Sequence, residues 1–320
     1  MRVVETGLKH GTITLYDDDD QIELTQTRVD LETDGRHAIV AHDQDWARDA
    51  ARRDFTINAV YLGSSGGIFD PLDGKADLKA GRLRFAGDAG LRVQEDALRM
   101  IRYCRFLPRF AATGIDPHAQ TALRKHAGQC AGLSGERIAN EMRRIMVGSR
   151  LKEVIGLMQD SKIDQAALGL SLDPSRLSND DGIGSMIAGL GANVDLAWLA
   201  NLAVAMPLGS AALLAKRLSL SRAEERCLTR LDLGLGHDDM TMLSGARWRQ
   251  AVYYLGDMTA LLFAVQSWRN GHALDASRLA EFTTWTTPQN PICGADLLSH
   301  GVDNGPGMGQ MLTQAECRWV

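Results

Sequence analysis

A chain of 320 residues with 45% hydrophobic and 23% charged side chains has room for two domains or more, with ample apolar content for a core. Its net charge of −5 argues against wholesale coating of a polyanion while leaving a local basic site open. Five cysteines without a Cys-x-x-Cys pair, no apolar run of membrane-spanning length and no signal-peptide pattern at the start point away from zinc, a disulfide framework or a membrane, and toward a reducing cytoplasm.

In chain order, Gly11–Tyr16 and Gln21–Thr27 alternate β-branched and polar residues about an acidic turn at Asp17–Asp20, which predicts a β-hairpin. The turn lacks the spaced ligands and closing Glu of a calcium loop. Glu23, between Ile22 and Leu24, points either to solvent or into a metal site. Residues Asp30–Val40 are polar and Gly-containing and predict a loop. A helix is expected from Trp46, leading into Arg52-Arg53-Asp54-Phe55-Thr56-Ile57-Asn58 beside an apolar strand. Turn and cap roles account for Asp54 and Asn58 but leave the paired arginines idle, and phosphate binding would use them. Ile68–Pro71 with Asp73-Gly74 reads as a strand end and turn.

Next comes a stretch from Glu95 to Phe106 in which Ala97, Leu98, Ile101 and Cys104 recur at helical spacing. At about 100° per residue, Glu95, Asp96, Arg99 and Arg102 fall on one arc opposite that stripe. A carboxylate only accepts and a guanidinium only donates hydrogen bonds, so the two together match an edge that offers an amine beside a ring nitrogen, as cytosine and adenine do. The plainer alternative is an exposed face of i,i+3 and i,i+4 ion pairs. Positive charge is concentrated here: residues 82–150 carry 13 basic against 6 acidic side chains. Beyond Phe110 the pattern is almost wholly helical, with a helix expected after Ser134 and others near 151–159, 194–205, 209–218, 222–233 and 245–268. A break at 178–182 and a last helix after the Gly-rich 301–309 complete it.

Taken together, Thr6–Thr12, Asp30–Arg36, Arg52–Ala59 and Glu95–Phe106 resemble motifs of the class II tRNA nucleotidyltransferase and poly(A) polymerase family, with weaker matches at Leu133–Glu141 and Pro291–Leu297. The resemblance implies an α+β fold: a polymerase β-like head with a small mixed or antiparallel sheet, then a helical body. It implies a head over 1–85, a nucleotide-recognition neck over 86–150 and a tRNA-binding body and tail over 151–320. The implied reaction is addition of C and A from CTP and ATP to tRNA 3′ ends. Asp96 and Arg99 would read the incoming base, Arg53 and Arg102 bind its phosphates, and Asp54 and Asn58 lie by the ribose. The loop with Asp30, Asp34 and Arg36 would reset the site from C to A.

The same family begins with a Gly-Gly-x-x-Arg-Asp segment and a strand bearing Asp-x-Asp, whose aspartates hold two Mg2+ ions. Neither occurs here, and Glu23, as a third carboxylate, is the one metal ligand the resemblance assigns. The chain is therefore expected to be catalytically incomplete, from a misplaced start or a fragment. A poly(A) polymerase and a non-catalytic RNA-binding relative are the alternatives. An HD-type phosphohydrolase is disfavoured because His42-Asp43 and His237-Asp238 have no convincing partner ligands.

Overall fold

The computed structural model describes all residues except 1, 8–11, 18–19, 26–27, 34–37, 43–44, 178–196, 273–274 and 320. They form two compact units, residues 1–174 with 216–219 and residues 175–215 with 220–320. The α+β expectation holds: small antiparallel sheets precede a long run of helices.

In the first unit, β1 (Arg2–Gly7), β2 (Thr12–Asp17) and β3 (Asp20–Thr25) make an antiparallel sheet in that order. The predicted hairpin is its β2–β3 half, with Thr14 opposite Glu23 and Leu15 opposite Ile22. Thr14 is buried, whereas Ile22, Glu23 and Leu24 are all exposed, so both faces of β3 are open. The predicted loop over 30–40 is instead two paired strands, β4 (Arg28–Thr33) and β5 (Ala38–His42). Apolar residues alternate through Val29 and Leu31 and recur at Ala38–Val40, and that pattern outweighs the polar residues between them.

Asp45 starts α1 (Trp46–Ala51) by accepting from Ala47 N at 2.9 Å. The apolar strand expected after it is a 3-10 turn at Thr56–Asn58, followed by the short antiparallel pair β6 (Tyr61–Leu62) and β7 (Ile68–Phe69). This turn is pinned by α2 (Gly74–Ala80), where the buried Asp77 accepts from Thr56 Oγ1 and from Arg84 Nε, both at 2.7 Å. Then follow α3 (Ala89–Glu95), α4 (Leu98–Phe110), α5 (Pro117–His126), α6 (Gly135–Met146), α7 (Leu151–Asp160) and α8 (Ile163–Leu168). Phe55, Tyr103, Leu107, Leu123, Ile138, Met142 and Ile155 are fully buried in this unit's core. Ser134 precedes α6 in extended geometry, but its side chain makes no capping hydrogen bond.

Further along the chain, α9 (Ala197–Ala205), α10 (Ala211–Leu218) and α11 (Arg222–Leu233) match expected helices. The single helix expected over 245–268 is broken. Gly256, at φ 71°, ends α13 (Trp248–Leu255), and a 3-10 turn leads into α14 (Thr259–Arg269). The remaining helices are α12 (His237–Ser244), α15 (Ala276–Thr284), α16 (Gly294–Ser299) and α17 (Pro306–Trp319). Buried Asp232 and Arg269 organise the second unit. Asp232 accepts from Gly209 N and Ala211 N at 3.0 and 2.9 Å, and Arg269 Nη1 donates to Leu231 O and Asp232 O, both at 3.1 Å. No helix among the described residues is long and apolar enough to cross a membrane.

Candidate functional site

The arc read from the sequence as one helix is two helices with a break. Asp96 is extended (φ −150°, ψ 106°) after α3, and its Oδ1 accepts from Leu98 N at 3.0 Å to start α4. An aspartate ahead of a helix satisfies first-turn N–H groups that have no partner inside the helix. Helical spacing of the apolar residues is the same whether or not the backbone breaks there, so the pattern could not reveal it.

The break turns Asp96 and Arg99 toward different partners. The second carboxylate oxygen of Asp96 accepts from Arg137 Nη2, on α6, at 2.7 Å. Arg99 Nη1 donates to Glu95 Oε2 at 2.7 Å and to Arg92 O at 3.1 Å, and its Nη2 donates to Arg52 O at 2.9 Å. Glu95 also takes a hydrogen bond from Arg92. Both side chains stay accessible, Asp96 at 25% and Arg99 at 15%.

Asp54 forms the second cluster. It accepts from Arg102 Nε at 2.8 Å, Arg102 Nη2 at 2.5 Å, Asn58 Nδ2 at 2.9 Å and Phe55 N at 3.0 Å. Burial by itself would raise this carboxyl, but the Arg102 guanidinium and the Asn58 amide outweigh it and hold it below the usual carboxylate range. Arg102 Nη1 lies 3.7 Å from Glu141, whose other oxygen is 2.6 Å from Arg105 Nε.

Arg52 and Arg53 are not idle. Asp49, on α1 and almost fully buried, accepts from Arg52, from Arg53 Nε and Nη2 at 3.1 and 2.9 Å, and from Tyr61 Oη at 2.8 Å. Against the raising effect of burial, those donors keep Asp49 below its ordinary value, while burial and Asp49 push the Tyr61 hydroxyl up to about 12.

The structure thus joins Asp54, Asn58 and Arg102 directly, and brings Arg99 against the Arg52 backbone. Arg53 is held by Asp49, and Asp96 by Arg137. Glu23 stands on exposed β3. Among the described residues no three His, Cys, Asp or Glu side chains converge as a metal site. Asp30 lies in β4, while Asp34 and Arg36 fall outside the described residues. A cavity of about 500 Å³ between α3 and α5, lined by Arg84, Asp88, Gln94, His118, Lys125 and His126, contains none of the expected site residues. Sequence reasoning missed Asp49, Arg137 and Glu141 as partners. Asp49 stands three and four residues before the two arginines, a legible helical spacing, whereas the latter two were visible only as parts of a weak motif.

Residues 1–84 match a family model described as the poly A polymerase head domain, and residues 114–167 match one described as a probable RNA and SrmB-binding site of polymerase A. The human mitochondrial CCA tRNA nucleotidyltransferase 1 is 33% identical over 98% of this chain and 72% of its own length. A CCA-adding enzyme from Leuconostoc citreum is 29% identical over 98% of this chain and 78% of its own. In fold, the chain is similar to the Bacillus stearothermophilus CCA-adding enzyme solved with CTP, at TM-score 0.77 and 20% identity over 98% of this chain and 78% of that one. The Thermotoga maritima CCA-adding enzyme solved with tRNA gives TM-score 0.66 at 21% identity, covering 97% and 75%.

Proposed function

The chain belongs to the CCA-adding tRNA nucleotidyltransferase family, and from that membership we propose that it selects C and A nucleotides, from CTP and ATP, for addition to tRNA 3′ ends without a nucleic-acid template. The observation that carries this reading is that one acceptor, Asp96, and one donor, Arg99, stand at the α3–α4 break, each partly exposed and with hydrogen-bonding capacity to spare. A guanidinium has five N–H groups and Arg99 uses three, which leaves two. A carboxylate has about four acceptor positions, and partners occupy two of those on Asp96, which leaves about two. Cytosine and adenine offer an amine to the carboxylate and a ring nitrogen to the guanidinium. Uracil and guanine reverse that order and would leave both groups unsatisfied, at roughly 1–3 kcal/mol each.

In this reading Asp54 and Asn58 lie by the ribose and fix Arg102, and Arg102 and Arg53 face the phosphates. Arg53 supports it by remaining 43% exposed despite its bond to Asp49. Residues 1–85 serve as head, 86–150 as the recognition neck and 151–320 as the part that holds tRNA. The cytoplasmic assignment goes with it, supported by free cysteines at 104, 130 and 227, all buried. The described residues do not fit a two-magnesium centre, because Glu23 belongs to no group of three or more His, Cys, Asp or Glu side chains among them, so no step is routed through a metal.

The test supplies the chain with tRNA lacking its CCA, magnesium, and CTP and ATP separately and together. The expected outcome is stepwise addition of C, C and A when the chain is joined to a segment carrying the Gly-Gly-x-x-Arg-Asp and Asp-x-Asp elements, and no incorporation by these 320 residues alone. Open-ended A addition by the extended form would favour a poly(A) polymerase, and binding of both substrates without incorporation even by that form would leave a non-catalytic relative.

A further inference from the structure

The solvent face of α4 continues past the nucleotide-selecting residues. At 100° per residue, Arg102, Arg105, Phe106, Arg109 and Phe110 share the face that carries Arg99, opposite buried Ile101, Cys104 and Leu107. These side chains alternate cation and ring. The Arg102 guanidinium lies 5.6 Å and that of Arg105 4.4 Å from the Phe106 ring centre, and that of Arg109 lies 5.3 Å from Phe110. The two rings are near-parallel, 24° apart with centres at 5.6 Å.

Charge on this face is in excess. Glu141 and Asp54 answer Arg102 and Arg105, but Arg109 and Arg144 have no carboxylate within 4.0 Å among the described residues. Burial, and then the nearby charges of Arg102 and Arg144, lower the Arg105 pKa against the opposing pull of Glu141. Arginines gathered against their mutual repulsion are ready for an anion. Rings interleaved with guanidiniums are the platform on which unpaired bases stack irrespective of sequence. From Arg102 to Phe110 the helix rises about 12 Å at 1.5 Å per residue, room for about three stacked nucleotides.

We propose that this face of α4, with Arg144 beside it, binds the unpaired 3′ end of an RNA, the guanidiniums meeting its phosphates and Phe110 lying under a base. The inference deepens the proposed function and rests on it, since it takes RNA to be the substrate. It adds a track leading away from the nucleotide-selecting residues.

Fluorescence anisotropy tests it with two RNA minihelices, one carrying a three-nucleotide unpaired 3′ tail and one blunt. The chain should bind the tailed form about fivefold or more tighter, since stacking one base is worth about 1–3 kcal/mol. R109A combined with R144A, and separately Phe110→Leu, should bring that ratio close to one. Phe110→Tyr should keep it, because the ring face survives. CTP affinity should be unchanged in all of them, which also verifies that each variant is folded. RNA binding without tail preference, or a preference that survives the arginine and leucine variants, overturns this inference alone. Failure of the chain to bind either RNA overturns the tRNA reading as well.

Discussion

Asp54, which the proposed function sets by the ribose, is a carboxylate that the fold itself depends on. With only 10% of its side chain exposed, it stays ionised because Arg102, Asn58 and its neighbour's N–H satisfy it. A carboxyl whose folded pKa lies below its unfolded value of about 3.9 stabilises the fold above that pH and loses the contribution as pH falls through the folded value. Thermal unfolding followed from pH 6 to pH 3 should therefore decline less steeply in Asp54→Asn than in the natural chain. Arg102→Ala leaves that carboxylate nearly buried without its cation and should cost about 2 kcal/mol in urea unfolding at pH 7. Asp96 is different, because its partners can be shared with a ligand. Asp96→Ala should erase most of the preference for CTP over UTP, a change of roughly 1–3 kcal/mol, while leaving triphosphate affinity much less affected. Isothermal titration with the four nucleotides measures both, and unchanged selectivity would remove Asp96 from the base-reading role.

At the scale of elements, the site depends on turns that hydrophobic periodicity does not mark. The 3-10 turn at Thr56–Asn58 holds Asn58 beside Asp54 because α2 is pressed against it. A Cβ on Gly74 would lie 2.2 Å from Thr56 O and 2.8 Å from Val60 Cγ2. Gly74→Ala should thus lower stability by about 1–3 kcal/mol, seen as a lower melting temperature, since a backbone oxygen cannot move aside as a flexible side chain can. The α3–α4 break follows the same logic. Val93 on α3 and Leu98, Ile101 and Cys104 on α4 are all buried, so apolar residues continue on both sides of it, and the extended Asp96 with its hydrogen bond from Leu98 N marks where the second helix begins.

For the whole molecule, charge distribution matters more than its sum. The net charge is −5, yet residues 82–150 hold 13 basic and 6 acidic side chains, so RNA affinity should come from a local patch and fall steeply with salt. Between 50 and 200 mM NaCl, tRNA affinity should drop by roughly tenfold or more, whereas the CTP-over-UTP ratio should change little, because base-edge hydrogen bonds release no counterions. Much of this was legible in the sequence. The β2–β3 hairpin, α1 and the long helical run follow from alternation and helical spacing, and the family from motif resemblance. These are local properties that a chain carries in any conformation. What only the tertiary structure decided is who partners whom. Arg137 reaches Asp96 from 41 positions away, Arg102 reaches Asp54 from 48, and Asp49 gathers Tyr61 from 12. Those bonds form because folding buries carboxylates that then require donors, and no spacing rule states which distant arginine will arrive.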